Sequence, residues 1–268
     1  MPSPRVLMHA FRALRRNQRA YKHEPETPYL EHLLSGAPVC LHVGASDGRH
    51  SFVMAQAAPA ARIYAFEPSA FAFNVLKTVI GWHGLTSRVT PVHAACSNEA
   101  GEMLLVTPRK SSGRMGRAYA FISPSKPEGQ VRPDVEDKGF ESETTPVVTL
   151  DRFCAERGIG RVDFIRMDIE GAEGKALAGA SGILERDKPS VLLEIHPDML
   201  RERFAGSAEE VVERFLSRGY RMFALNEQGL EERRAVVPGL PWKDYFFIHP
   251  SRASALPEGV FADLMRAA

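Results

Sequence analysis

A short apolar strand that stops at glycine and re-enters the chain as a helix leaves little choice of architecture. Residues 38–51 read P-V-C-L-H-V-G-A-S-D-G-R-H-S. Val39, Cys40, Leu41 and Val43 form the apolar run, and His42 interrupts it. Gly44 and Gly48 then bracket the small residues Ala45 and Ser46. Lacking a Cβ, glycine accepts positive φ and lets a ligand approach the backbone. The free N–H groups at the start of the next helix suit a carboxylate or a phosphate. Taken alone, G-x-x-x-G is also what an ordinary tight turn looks like, so its meaning depends on the residues downstream.

Those residues repeat the strand–helix order. Arg62–Phe66 reads as a second strand ending in Glu67-Pro68. Glu67 stands about 20 residues past the glycines, where nucleotide-binding α/β units place an acid for a ribose diol. A solvated strand-end acid would look the same. Ser69 caps a helix whose buried stripe is Phe71, Val75, Leu76 and Ile80. Val89–Val92 is a third strand, and the small residues Ala94, Ala95 and Cys96 at its exit leave room for a flat ring. Val162, Phe164 and Ile165 predict a buried strand that runs toward Asp168 and Glu170, followed by a helix carrying Glu173. Val191–Ile195 is another, ending in Glu194-Ile195-His196. Ser207 and Glu210 form a capping box for a helix that buries Val211, Val212 and Phe215. Arg221–Leu225 and Tyr245–His249 read as a closing antiparallel pair. Continuous apolar strands alternating with helices predict a mostly parallel sheet covered on both faces.

The spacing divides the chain into a helical segment at 1–37, a main domain at 38–250 and a tail at 251–268. Within the first, Val6, Leu7, Phe11 and Leu14 recur at helical spacing beside Arg12, Arg15, Arg16 and Arg19. That pattern fits either a packed accessory helix or one lying on a membrane surface. Residues 107–146 interrupt the domain with Arg109, Lys110, Arg114 and Arg117, then Tyr119 and Phe121, then a stretch rich in Pro and Glu. Such a length reads as a substrate loop or lid, or as a solvated insert.

Composition narrows the class. With 268 residues, 44% apolar and 25% charged, the chain reads as a soluble globular protein. A formal charge of +1 argues against nucleic acid as the main partner. No apolar run reaches the ~18–20 residues of a membrane span. Cys40, Cys96 and Cys154 are too dispersed for a C-x-x-C site or a disulfide framework, which points to a reducing, cytoplasmic setting. The first residues lack the apolar core of a secretion signal.

Several of these stretches together carry a family resemblance. H-V-G-A-S-D-G at 42–48, A-F-E-P at 65–68, T-L-D at 149–151, R-M-D-I-E-G-A-E at 166–173 and L-L-E-I-H-P at 192–197 resemble the FkbM family of S-adenosylmethionine-dependent methyltransferases. The resemblance covers roughly residues 38–200. It implies a class I methyltransferase Rossmann-like fold: a seven-stranded, mostly parallel sheet with an antiparallel last strand and helices on both faces. It implies S-adenosyl-L-methionine as cofactor, with its methionyl end over Gly44, Ala45, Ser46 and Gly48. The ribose would then meet Glu67 beside Pro68, and the adenine would lie near Ala94 to Ser97, with Ala95 and Cys96 among its contacts. It also implies a small-molecule hydroxyl acceptor such as a sugar or polyketide. His42 stands where the family usually carries Asp, and Asp47 where it usually carries an apolar residue. A neutral imidazole can hydrogen-bond a cofactor but brings no permanent negative charge.

Direct displacement from a sulfonium asks the protein for alignment and for a base. Asp168 or His196 would be the base, with Glu170 and Glu194 positioning the acceptor. A divalent ion on Asp168, Glu194 and His196 is an alternative that could acidify the hydroxyl. Two other readings share the glycine turn: an NAD-dependent oxidoreductase, which would want G-x-G-x-x-G, and a catalytically silent nucleoside-binding module.

Overall fold

The computed structural model describes residues 2–108, 121–123, 140–227, 229–240 and 242–255. Arg109, Lys110, Arg114, Arg117 and Tyr119 of the basic stretch lie outside these residues, as does most of the tail. Helices α1 (Pro4–Ala20) and α2 (Thr27–Leu33) come first. The order then runs β1 (Val39–Val43), α3 (Arg49–Ala57), β2 (Arg62–Phe66), α4 (Ala70–Trp82) and β3 (Val89–Val92). Ser69 caps α4 through the Ala72 N–H, as its position predicts.

Next comes a group of extended segments: β4 (Ala95–Cys96), β5 (Gly101–Pro108), β6 (Phe121–Ser123) and β7 (Phe140–Val148). They form a separate four-stranded sheet in the order β4-β7-β5-β6. Residues 140–146 therefore continue the sheet rather than a loop, pairing with β5 from Pro108↔Phe140 to Gly101↔Val147. Pro146 obscures this strand in the sequence, because proline reads as a breaker. It sits opposite Glu102, one residue before β7 meets β4 at Ala95↔Val147.

The remaining elements are α5 (Leu150–Glu156), β8 (Phe164–Met167), α6 (Glu173–Ala178), α7 (Ser181–Arg186) and β9 (Ser190–Glu194). They are followed by α8 (Pro197–Phe204), α9 (Ala208–Leu216), β10 (Arg221–Asn226), β11 (Gly229–Arg233) and β12 (Asp244–Ile248). The main sheet has the order β11-β10-β12-β9-β8-β1-β2-β3. Five strands, β3 to β9 in that row, are parallel. β12 inserts antiparallel between β9 and β10, as expected for the closing pair. The sheet has eight strands rather than seven, because β11 adds an antiparallel edge against β10. Its sequence, G-L-E-E-R, carries no apolar alternation, since an edge strand that faces water needs none.

Alternate side chains of the central strands fill two cores. Leu41, Val43, Ile165, Met167, Val191 and Leu193 pack with Phe153, Leu177 and Phe215 on one face. Cys40, Phe164, Leu192 and Phe246 pack with Leu30, Met54 and Leu76 on the other. α1 lies outside this second layer, burying Val6, Ala10 and Ala13 against Val75 and Val79. Among the described residues no helix is long and apolar enough to cross a membrane.

Candidate active site

Parallel strands deliver their carboxyl ends to one edge of the sheet, and crossing from β3 to β8 makes β1 and β8 neighbours at the switch point. A cavity of about 420 Å³ opens there. Gly44, Ser46 and Asp47 line it after β1, Glu67 and Pro68 after β2, and Ala94, Ala95 and Cys96 after β3. Asp168, Ile169 and Glu170 close it after β8. Two further walls were not read from the sequence: Leu105 and Thr107 of β5, and Arg16 of α1.

The glycine turn is held by its neighbours. Gly44 has φ +85°, and a Cβ there would collide with the Asp168 carbonyl oxygen. The exits of β1 and β8 are thus in backbone contact, which only glycine permits. The Gly44 and Ala45 N–H groups donate to the Phe66 carbonyl at 3.1 and 2.8 Å. Glu67, almost fully buried, accepts from the Ser46 N–H at 2.8 Å and the Ser69 N–H at 2.9 Å. It therefore clamps two turns together.

Of the residues expected on the cofactor wall, Gly44, Ser46, Glu67, Pro68, Ala95 and Cys96 do line the cavity. Ala45 and Gly48 do not: Ala45 is buried inside the turn, and Gly48 caps α3 with φ +83°. His42 is also off the wall. It is buried in β1, with Nδ1 2.7 Å from the Ser51 Oγ of α3. Burial, then Arg166 and His50, hold its pKa well below the usual 6.5, so the imidazole is neutral. Asp47 reaches the cavity, but its carboxylate pairs with Arg16.

At the other wall, Asp168, Glu194 and His196 form a chain. Asp168 keeps 30% of its side chain open, enough to meet a ligand in the cavity it lines. Burial raises its pKa well above the usual carboxyl value; Arg166 opposes this, and Glu194 and Glu170 add to it. Glu194 moves the other way, to about 2, chiefly through its hydrogen bond to His196 and also through that to Asp168. The pair thus shares one proton, held on Asp168 and donated to an ionised Glu194. His196 Nε2 lies 2.8 Å from Glu194 Oε1, and its Nδ1 lies 3.0 Å from Lys243 Nζ. Lys243 has only protons to give, so Nδ1 accepts and Nε2–H donates to Glu194. Glu194 and His196 stand behind Asp168 and are not part of the cavity wall.

The loop after β8 is braced from below. Fully buried Glu173 accepts from the Ile169 and Gly171 N–H groups, each at 3.2 Å. Glu170 takes the left-handed conformation, φ +57°, and its carbonyl accepts from Arg203 at 3.2 Å. The D-I-E-G-A-E run is therefore a self-capped turn that aims Asp168 and Glu170 into the cavity. Buried Glu173 supports the turn from within the protein.

Arg166 is the second feature that sequence reading passed over. It is a buried cation on β8, 3.8 Å from both Asp168 and Asp244. Its guanidinium donates to His50 Nε2 at 3.1 Å, and His50 Nδ1 lies 2.9 Å from Glu26. Nε2 is the acceptor, so Nδ1–H donates and the ring is neutral. Burial and Arg166 accordingly lower the His50 pKa to about 4. Burial raises Asp244 to about 6, against the pull of Arg166. An arginine inside the apolar run F-I-R-M was the signal available. Nearby, Arg49 pairs with Glu24.

The metal alternative on Asp168, Glu194 and His196 meets a shortage of donors. Both His196 nitrogens are engaged, so no lone pair faces a cation without first displacing Lys243 or Glu194. Among the described residues, the group of three ligand atoms that all lie within 4.8 Å of one another belongs to Glu24, Glu26 and His50. There, Arg49 and Arg166 already supply the positive charge.

Five parallel strands, an antiparallel strand inserted near one edge, and a glycine-lined cavity at the switch point define the class I methyltransferase fold. Residues 42–222 match the methyltransferase FkbM domain, and the chain belongs to that family. It is similar to the 31-O-demethyl-FK506 methyltransferase FkbM of Streptomyces tacrolimicus, with 28% identity over 187 residues, 63% of this chain and 70% of that protein. Among solved structures, methyltransferase FkbM from Methylobacillus flagellatus KT shares the fold, with a TM-score of 0.50 and 16% identity. That alignment covers 79% of this chain and 43% of the other, so this chain spans less than half of that relative's length.

Proposed function

We propose that this chain moves the methyl group of S-adenosyl-L-methionine to a hydroxyl oxygen of a small molecule, in the class of sugars or polyketides. The observation that carries the reading is the convergence of the Gly44 turn, Glu67 and Asp168 on one cavity. The relative from Streptomyces tacrolimicus, named as an O-demethyl-FK506 methyltransferase, supports an oxygen acceptor.

The residues fit such a cofactor. Gly44, Ser46 and Asp47 of the turn would take its amino-acid end, and Glu67 on the same wall would face the ribose diol. Ala94, Ala95 and Cys96 offer a flat, small-residue wall for the base. When bound, the cofactor supplies an already activated methyl group. The protein's own work is to hold the acceptor and take its proton. Asp168 accepts the hydroxyl proton on its free oxygen while passing its shared proton to Glu194. One proton enters the pair and none is lost, and the acceptor oxygen gains a lone pair for the new C–O bond. His196 and Lys243 hold Glu194 in place for this relay.

Calorimetry with S-adenosylhomocysteine and with NAD tests the binding half. Saturable binding of the first and none of the second is expected, and the reverse result sinks the reading. Mass spectrometry of hydroxylated candidate acceptors, looking for a gain of one methyl, tests the chemistry.

A further inference from the structure

Four large apolar side chains stay exposed among the described residues, and three of them, Leu7 at 39%, Met8 at 45% and Phe11 at 50%, lie on α1. The packing of α1 on its own protein does not use them. The helix buries Val6, Ala10 and Ala13 against α4, and Leu7, Met8 and Phe11 project from the opposite side. The charge of α1 is equally one-sided. It carries Arg5, Arg12, Arg15, Arg16 and Arg19 and no acidic residue. Arg16 pairs with Asp47, Arg5 stacks over Phe71, and Arg15 lies 5.0 Å from the centre of the Phe11 ring. Arg12 and Arg19 make no ion pair among the described residues. A helix facing only water gains from mixed charges at i, i+4, and this one has none.

We propose that α1 docks the protein on an anionic lipid surface, with Leu7, Met8 and Phe11 among the headgroups and Arg12, Arg15 and Arg19 against the lipid phosphates. Apolar side chains flanked by unpaired arginines are what an interfacial helix requires. A second copy of the chain is a poorer occupant, because a two-fold contact would set arginines against arginines. Nucleic acid would use the arginines but has no need of the apolar stripe. The site faces function directly, since α1 packs on α3 and α4 and its Arg16 lines the cavity. A docked α1 would hold the cavity beside the membrane. The inference is independent of the methyl-transfer reading.

Flotation of the full chain with phosphatidylcholine vesicles, with and without phosphatidylglycerol, tests it. Binding is expected only with phosphatidylglycerol, and raised salt should weaken it. Two variants separate the two components: Leu7→Ser/Met8→Ser/Phe11→Ser, and Arg12→Glu/Arg15→Glu/Arg19→Glu. Each should lower the vesicle partition at least about tenfold, with circular dichroism and melting temperature unchanged. Should a triple variant fail to fold, Phe11→Ser and Arg15→Glu carry the same comparison singly, with smaller losses. The proposal is overturned if anionic vesicles do not float the protein, or if either folded variant binds as well as the wild type. It is also overturned if the wild type self-associates in sedimentation through this stripe without binding vesicles.

Discussion

Asp168 and Glu194 differ in environment more than in chemistry, and that difference assigns their roles. The first holds the shared proton and reaches the cavity; the second is ionised behind it. Asp168→Asn cannot pass a proton on, so turnover should fall about 10²–10⁴-fold, while calorimetry finds S-adenosylhomocysteine binding nearly unchanged. Unchanged turnover would remove the relay. His50 and Asp244 make a prediction about stability with opposite signs. His50 has its folded pKa lowered to about 4, so its contribution is present above 6.5 and is lost as pH falls toward 4. Asp244 has its pKa raised from 3.8 to about 6, so its contribution is present below 3.8 and is lost as pH rises through 6. Each is on the order of 3 kcal/mol at full shift, and in the wild type they offset one another. Urea melts of His50→Gln should show stability falling from pH 4 to 6. Melts of Asp244→Asn should show it rising from pH 4 to 6.5. Flat profiles in both variants would contradict the buried network.

The glycine turn and the loop after β8 act as one element, because Gly44 touches the Asp168 backbone. Gly44→Ala places a methyl group where that carbonyl stands and forces φ +85° on a residue that resists it. We expect a loss of at least about 3 kcal/mol and no detectable S-adenosylhomocysteine binding, read by thermal melting and calorimetry on the same sample. Glu173→Ala removes the acceptor for the buried Gly171 N–H and the half-buried Ile169 N–H. It should cost about 1–3 kcal/mol and lower turnover further than it lowers ligand affinity, because the loop it holds carries Asp168. The run of acidic residues at 168–173 was legible as a site. The division of labour within it was not. Asp168 and Glu173 differ only in which way the turn points them, and the turn depends on Glu170 and Gly171 taking positive φ.

At the scale of the molecule, the cavity is finished by parts outside the strand–helix core. Arg16 of α1 and Thr107 of β5 both line it. Arg16→Ala frees Asp47 and opens that wall, so cofactor KM should rise several-fold with kcat nearly constant. A fall in kcat alone would place Arg16 elsewhere in the cycle. Local periodicity was enough for the alternation of strands and helices, the capped starts of α4 and α9, and the strand ends that bear Gly44, Glu67 and Asp168. Each of those depends on neighbours within a turn or two of chain. The partners Arg166, His50, Glu26 and Asp244 come from four distant segments and meet only because β8 lies between β1 and β9, with β12 paired beyond. Burial in that shared layer, rather than any property of the residues in isolation, is what sets their charges, and so it is the folded packing that decides which strand-end acid keeps its proton.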